Sequence, residues 1–260
     1  MKLDLLVAVL AVLLGGLVWT APCVAAEGEI PFEVSGDVMP TDAGGDTVEV
    51  SGNVRVVRGS FVLTCDHLQY EKKSDSALAT GEVEARDGTF VLTCRRLDYR
   101  VGRELALAWE NPLIRRTTAA AGGASELVEM KATRIALDVA GERVEGLDRV
   151  ELTRWVVTGG RRTLDVRVRC DELEIDQSVR SCLFRGNVEI ESPDLGARAR
   201  RAFLEEPLDR LTLIGGAEAW SVGPKGEKTD RVSGTKILHF LKAKRSLVFG
   251  GVSGRMKVSQ

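Results

Sequence analysis

The sequence predicts an all-β chain: an elongated, repeated domain of about fourteen mainly antiparallel strands behind an N-terminal signal helix. Three observations carry this. A segment of 29 residues recurs, with Gly52 and Cys65 reappearing as Gly81 and Cys94. Apolar residues alternate with period two and lose step at one fixed point in each copy. After residue 26, no stretch of useful length shows the 3.6-residue period of an amphipathic helix.

The chain opens on an export signal. Lys2 gives a short positive start, Leu5 to Trp19 is an apolar run broken only by Gly15-Gly16, and Val24-Ala25-Ala26 is a small-residue end before Glu27. The run is short for a membrane-spanning helix, which needs about 20 apolar residues. An uncleaved inner-membrane anchor is the alternative. The expected organisation is therefore a signal over residues 1–26 and one repeated domain over 27–260.

Each repeat unit has two strand-like halves. In the first, Val48, Val50, Gly52, Val54 and Val56 share one face, and Glu49, Ser51, Asn53 and Arg55 share the other. Cys182, Phe184, Gly186, Val188 and Ile190 repeat this pattern, as do Leu211, Leu213, Gly215, Ala217 and Ala219. Such alternation marks a half-buried strand. The second half switches parity: Phe61, Leu63 and Cys65 are followed by Leu68 and Tyr70. The same slip separates Cys94 from Leu97 and Tyr99, Ala132 from Ile135 and Leu137, Cys170 from Leu173 and Ile175, and Ala199 from Ala202 and Leu204. One extra residue that restores the same inward face is what a bulge or strand corner does.

The spacing of these anchors is regular on one side only. From slip residue to the next anchor the step is 16 for Cys65 to Gly81, 17 for Cys94 to Asn111, and 16 again for Cys170 to Gly186. A weaker last copy runs from Thr235 to Gly251. Insertions fall at Thr117–Glu126, Thr158–Thr163 and Ser221–Asp230, all on the other side, as loops of a repeat fold do.

Composition excludes several functions. The net charge is −2, with 36 Lys and Arg against 38 Asp and Glu, so the basic excess of a nucleic-acid binder is missing. The two histidines, His67 and His239, lie in separate units with no partner pattern for metal or nucleophilic chemistry and are expected at solvent-facing positions. No catalytic residue, cofactor or metal site is expected. Asp66 and Asp171 sit at the slip, where a carboxylate stabilises a bent backbone. Arg95-Arg96, Arg115-Arg116, Arg161-Arg162 and Arg198, Arg200 and Arg201 read as solvated charge on outward faces, with phosphate recognition as the sharper alternative. Cys65 and Cys94 share a register. If like strands were direct neighbours, about 5 Å apart, they could form a disulfide; buried free thiols are the other reading.

Gly52-Asn53-Val54, then Thr64-Cys65-Asp66-His67-Leu68-Gln69-Tyr70, then Ala79-Thr80-Gly81-Glu82-Val83 resemble the OstA-like family of lipopolysaccharide transport proteins. The resemblance is clearest over residues 30–115 and 165–220, and the family's usual Thr-Ala-Asp is here Thr64-Cys65-Asp66 and Thr93-Cys94-Arg95. It implies a semi-open β-jelly roll, V-shaped in section, whose apolar interior carries lipid A acyl chains. It also implies a periplasmic location, inner- and outer-membrane transport components as partners, and head-to-tail self-association. The candidate lipid contacts are the large inward residues. In the first units these are Val54, Val56, Leu63, Leu68, Tyr70 and Val83. Leu92, Leu97, Tyr99, Leu113, Ile135 and Leu137 follow, then Leu173, Ile175, Phe184, Val188, Ile190 and Leu204. The many Ala and Gly among the inward positions point to a roomy trough. Within the family, an inner-membrane-anchored partner is the alternative. Outside it, the alternatives are a parallel β-solenoid enzyme acting on polysaccharide or a ligand-free scaffold; the alternating steps of 13 and 16 favour antiparallel strand pairs.

Overall fold

The computed structural model describes residues 33–39, 45–120, 123–223, 227–240, 243 and 245–255. The expected signal segment, residues 1–26, lies outside the described residues. The strands in chain order begin with β1 (Glu33–Ser35), β2 (Thr47–Arg58), β3 (Phe61–Glu71), β4 (Ser76–Asp87), β5 (Phe90–Arg100) and β6 (Leu105–Trp109). Then come β7 (Leu113–Ala119), β8 (Ser125–Lys131), β9 (Arg134–Asp138), β10 (Arg143–Thr158), β11 (Arg161–Asp176) and β12 (Ser181–Glu191). The last are β13 (Leu195–Glu205), β14 (Arg210–Val222), β15 (Lys228–Phe240), β16 (Arg245–Phe249) and β17 (Ser253–Arg255).

Apart from the pairs β6–β7, β8–β9 and β16–β17, strands adjacent in sequence pair with each other, and every pairing is antiparallel. That excludes the parallel solenoid. The 17 strands form fewer full-length rungs. β5 pairs with β7 along its first half and with β6 along its second, so β6 and β7 are two halves of one rung. β10 pairs in the same way with β8 and β9, and β15 with β16 and β17. Joining these three pairs leaves fourteen rungs among the described residues, the number the alternation predicts.

Every long rung bends near its middle. Register shifts lie between Ser51 and Val54 on β2, Thr64 and His67 on β3, Thr80 and Val83 on β4, and Arg185 and Val188 on β12. On alternate rungs the bend is made by residues in the left-handed region, such as Gly52 (φ 75°) with Asn53 (46°), and Gly186 (72°) with Asn187 (48°). Glu110 with Asn111, Asp148 with Arg149, Gly215 with Gly216, and Gly250 with Gly251 do the same. These positions correct the register read from sequence in two places. The third anchor is Glu110, 16 after Cys94, not Asn111. The last copy runs from Gly234, which opposes Ala217, to Gly250. With both corrections every step is 16, because the bend must recur at one level for neighbouring rungs to stay paired.

Side chains bridge neighbouring rungs at the bend, and one of them accepts from a backbone amide there. Asn53 Nδ2 donates to Asp37 Oδ2 at 2.8 Å, and Asn187 Nδ2 donates to Asp171 Oδ2 at 2.9 Å. The Glu82 amide donates to Asp66 Oδ2 at 3.2 Å, the role expected for the slip aspartates. This contact is also why the anchor is glycine. A Cβ on Gly186 would lie 2.0 Å from Asp171 Oδ2, and one on Gly81 2.1 Å from Asp66 Oδ2. The left-handed φ alone does not demand glycine, since Glu110 and Asp148 adopt it. Gly186→Ala is therefore expected to cost about 2–3 kcal/mol, more than Gly216→Ala, which meets nothing within 4 Å and costs about 1 kcal/mol. Chemical denaturation of both variants checks this; equal losses would show that the aspartate contact is immaterial.

The parity slip at each bend keeps one face of both half-rungs inward. Val50, Val54 and Val56 on β2, Leu63, Cys65 and Leu68 on β3, and Leu92, Cys94 and Leu97 on β5 all join one buried cluster. So do Leu173, Ile175, Phe184, Val188, Ile190 and Leu204 from β11 to β13. Packing is uneven along the stack. Of the nine largest side chains buried below 2% exposure, seven (Leu173, Phe184, Ile190, Leu195, Leu204, Leu211 and Ile237) come from β11 to β15.

Two local expectations are corrected, and the open reading of Cys65 and Cys94 is decided. Leu113 pairs with Thr93 and Lys131, whereas Ile114 pairs with Leu92 and Met130 and is the inward residue. The left-handed pair Glu110-Asn111 resets the parity just before it. His239 is buried at 2% exposure, in register with inward Leu211, with its Nδ1 2.7 Å from Ser246 Oγ. Cys65 and Cys94 are free buried thiols. β4 lies between β3 and β5, so like strands are two spacings apart, about 10 Å, beyond disulfide reach. Burial raises both thiols to about 11, and Cys170 to about 12.

Candidate functional site

Where β2 to β6 and β9 meet, the two half-sheets do not close on each other. Between them is a cavity of about 520 Å³. One wall comes from the half-rungs on one side of the bend: Val48 and Val50, Leu68 and Tyr70, Ala77 and Ala79, Leu97 and Tyr99, with Ala106 and Leu137 at its far side. The other wall comes from the half-rungs beyond the bend: Val56, Phe61, Leu63, Ala85, Phe90 and Leu92. Cross-strand pairs set each wall. Ala79 opposes Leu68 and Leu97, and Ala85 opposes Leu63 and Leu92. A small residue on β4 between two leucines leaves the space. In the packed half, Phe184 on β12 fills the level that Ala79 leaves open on β4, two residues before the anchor of its unit.

Polar groups are confined to the cavity's two lips. One lip carries Tyr70, Tyr99 and Glu104. Tyr70 donates its hydroxyl to Asp75 Oδ1 at 2.8 Å, and that bond raises its pKa above the usual phenol value. Burial raises Tyr99 in the same direction, with Glu104 adding to it and the Arg58 charge opposing it. Arg58 stands on the other lip with Asp87, which accepts from Ser60 Oγ at 2.7 Å. Arg58 and Tyr99 both line this one cavity. The walls between the lips are apolar, a lining that matches hydrocarbon chains. Among the described residues, no group of three or more His, Cys, Asp or Glu is placed to hold a metal ion.

Apart from outward Leu113, the candidate residues from the sequence divide into three sets. Val56, Leu63, Leu68, Tyr70, Leu92, Leu97, Tyr99 and Leu137 line the cavity. Val54 and Val83 are buried beside the bend, and Ile135 is buried on β9 on the other side of it, in register with Gly146. Leu173, Ile175, Phe184, Val188, Ile190 and Leu204 are packed against one another in the closed half, each 3% exposed or less. A shallower hollow of about 370 Å³ opens on the opposite face between Val91, Thr117 and Leu127. Its arginines, Arg115 and Arg162, both reach Glu129 Oε1, at 3.0 and 3.8 Å, as ordinary surface ion pairs.

No protein-family model matches the sequence, and no curated protein matches it. Among solved structures, the chain is similar to LptH, the LptA homologous periplasmic component of the lipopolysaccharide transport device of Pseudomonas aeruginosa. The identity is 16% and the TM-score 0.23, over 57% of this chain and 78% of that one. The site is accordingly read from its own geometry.

One feature of that geometry was visible in the sequence but not singled out. Six residues after each of the anchors Gly52, Gly81, Glu110, Asp148, Gly186 and Gly215, the inward position is polar: Arg58, Asp87, Arg116, Arg154, Ser192 and Ser221. The anchor-plus-six spacing was available from the repeat alone.

Proposed function

We propose that this protein is a non-enzymatic lipid carrier of the periplasm that holds acyl chains in its interior and helps pass lipopolysaccharide from the inner to the outer membrane. The carrying observation is the 520 Å³ cavity, walled by apolar side chains from both half-sheets. Apolar burial is additive, at about 0.8 kcal/mol per methylene, and needs no directional chemistry. A cleft with charge only at its lips suits a chain that is held and released, not cut. The OstA-like sequence motifs, repeated in register behind an export signal, support lipopolysaccharide as the cargo and membrane-bound transport components as the partners.

The two ends of the stack support the bridging role. β1 pairs only with β2, and β16 with β17 only with β15, among the described residues. Each end therefore presents an unpaired edge that another sheet can extend. Val34, Val38 and Met39 are exposed at one end, and Phe249 and Val252 at the other. Such edges suit head-to-tail stacking or docking on a membrane-bound partner.

Site-specific photocrosslinking tests the reading. A photoreactive residue at Leu68, which lines the cavity, is expected to capture lipopolysaccharide, while one at outward, exposed Arg55 is not. Crosslinking at Arg55 and none at Leu68 would overturn it.

A further inference from the structure

The half-rungs before the bend on β12 to β16 are apolar on both faces, and only one face belongs to the core. Phe184, Leu204, Leu213 and Ile237 join the buried cluster, and Val248 packs against it. Their chain neighbours Leu183, Phe203, Ile214, Leu238, Leu247 and Phe249 lie outside that cluster, so by alternation they face outward. Pairing sets them side by side. Leu183 opposes Phe203, Phe203 opposes Thr212, Thr212 opposes Leu238, and Leu238 opposes Leu247. One level nearer the bend, Arg201 opposes Ile214, Ile214 opposes Lys236, and Lys236 opposes Phe249. One level further from it, Phe240 opposes Arg245. Val179 and Leu208, in the turns before β12 and β14, border this face and are 58% and 55% exposed.

Three levels on five strands span about 19 Å by about 14 Å, on the order of 300 Å². Exposed apolar patches of that size are often functional. The first rungs have no equivalent. On β6, outward Leu105, Leu107 and Trp109 are flanked by Arg96, Asp98 and Arg100 on β5 and by Arg134 and Asp138 on β9. The charges on the β12–β16 face are of a different kind. Glu205 is paired with Arg210, and Arg185 with Glu172 and Glu174 on β11. Arg201, Lys236 and Arg245 have no ion pair among the described residues. Thr212, the neutral polar residue at the centre, is 6% exposed. The face therefore offers apolar area and unpaired cations, and few groups for matched hydrogen bonds. A protein partner needs about one such bond per 100–200 Å². A lipid surface asks only for apolar side chains that reach the acyl boundary and cations that meet its phosphates. Arg and Lys suit the second task, because their stems lie along apolar surface while the charged heads reach outward.

We propose that the outward face of β12–β16 docks on an anionic lipid surface. Phe203, Leu238, Leu247 and Phe249 enter the headgroup boundary, and Arg201, Lys236 and Arg245 each meet a separate lipid phosphate. The inference goes beyond the carrier reading and does not depend on it, since the cavity lies among β2 to β6 and β9, between the half-sheets.

The test titrates vesicles of phosphatidylglycerol, or of phosphatidylcholine, against the full chain carrying an environment-sensitive fluorophore at Leu247, and in a second preparation at Leu107 on β6. The Leu247 emission is expected to shift to the blue at a phosphatidylglycerol concentration about tenfold or more below that needed with phosphatidylcholine, and the Leu107 emission not to shift. Arg201→Gln and Lys236→Gln should each raise the required phosphatidylglycerol concentration about fivefold. Phe203→Ser should abolish the shift where circular dichroism shows that it folds; the two outward Gln variants keep the test sound if it does not. Equal shifts with both vesicles, or a shift unchanged in Arg201→Gln and Lys236→Gln, overturn the anionic surface. Cosedimentation with vesicles but no shift at Leu247 means attachment through another part of the chain and overturns the proposal. So does a shift that needs no lipid and grows with protein concentration, which assigns the face to a second copy. None of these outcomes bears on the cavity, which crosslinking at Leu68 tests separately.

Discussion

Phe184→Ala should lower the unfolding free energy by about 3–5 kcal/mol. Phe184 is 0% exposed and sits on β12 between Ala202 on β13 and Leu173 on β11. Its neighbours are held by pairing on both sides, so they cannot collapse into the space that the ring vacates. The loss therefore combines the transfer term with a residual cavity term. Urea denaturation reads it directly, and a loss below about 1.5 kcal/mol would show that the half-sheets in this region are not closed on each other. The prediction matters for function because it assigns stability to the β11–β15 half. A stack with an open half needs a closed one to hold its bends in register.

Ala77→Trp should weaken acyl-chain binding by about tenfold and leave stability within about 1 kcal/mol of the wild type. Ala77 is half-buried on β4, opposes Tyr70 and Tyr99, and lines the cavity. An indole there occupies space that a chain would use. Excluding about two methylenes at about 0.8 kcal/mol each accounts for the factor. The matched change in the packed half, Ala202→Trp, has no such space to enter. Ala202 is 0% exposed and opposes Phe184 and Leu213, so overpacking should cost about 1–3 kcal/mol or prevent folding. Binding is measured with a fluorescent fatty-chain probe and folding by thermal melts. If the two tryptophan variants melt alike, the distinction between an open and a closed half fails.

Much of this was legible from residues alone. The bends at Gly52, Gly81 and Gly186 could be placed because a left-handed backbone and a parity slip are local properties, written into neighbouring residues. The inward set was legible for the same reason. Val54, Leu68, Leu97, Ile175 and Ile190 all fall on the buried face, since period-two alternation needs no knowledge of the partner strand. The number of rungs followed from counting units.

What the tertiary structure decided is where that inward face is filled. Leu68 and Leu173 stand at corresponding points of their units and look alike in sequence, yet one lines the cavity and the other is packed solid. The difference depends on what opposes them across the interior and on neighbouring strands, such as Ala79 on β4 and Phe184 on β12. The separation of Cys65 from Cys94 by β4, the inward turn of His239 and the exchange of Leu113 for Ile114 have the same origin. Alternation along a strand fixes which face a side chain joins. Only the pairing of strands and the meeting of the two half-sheets fixes what it meets there, because those contacts join residues far apart in the chain.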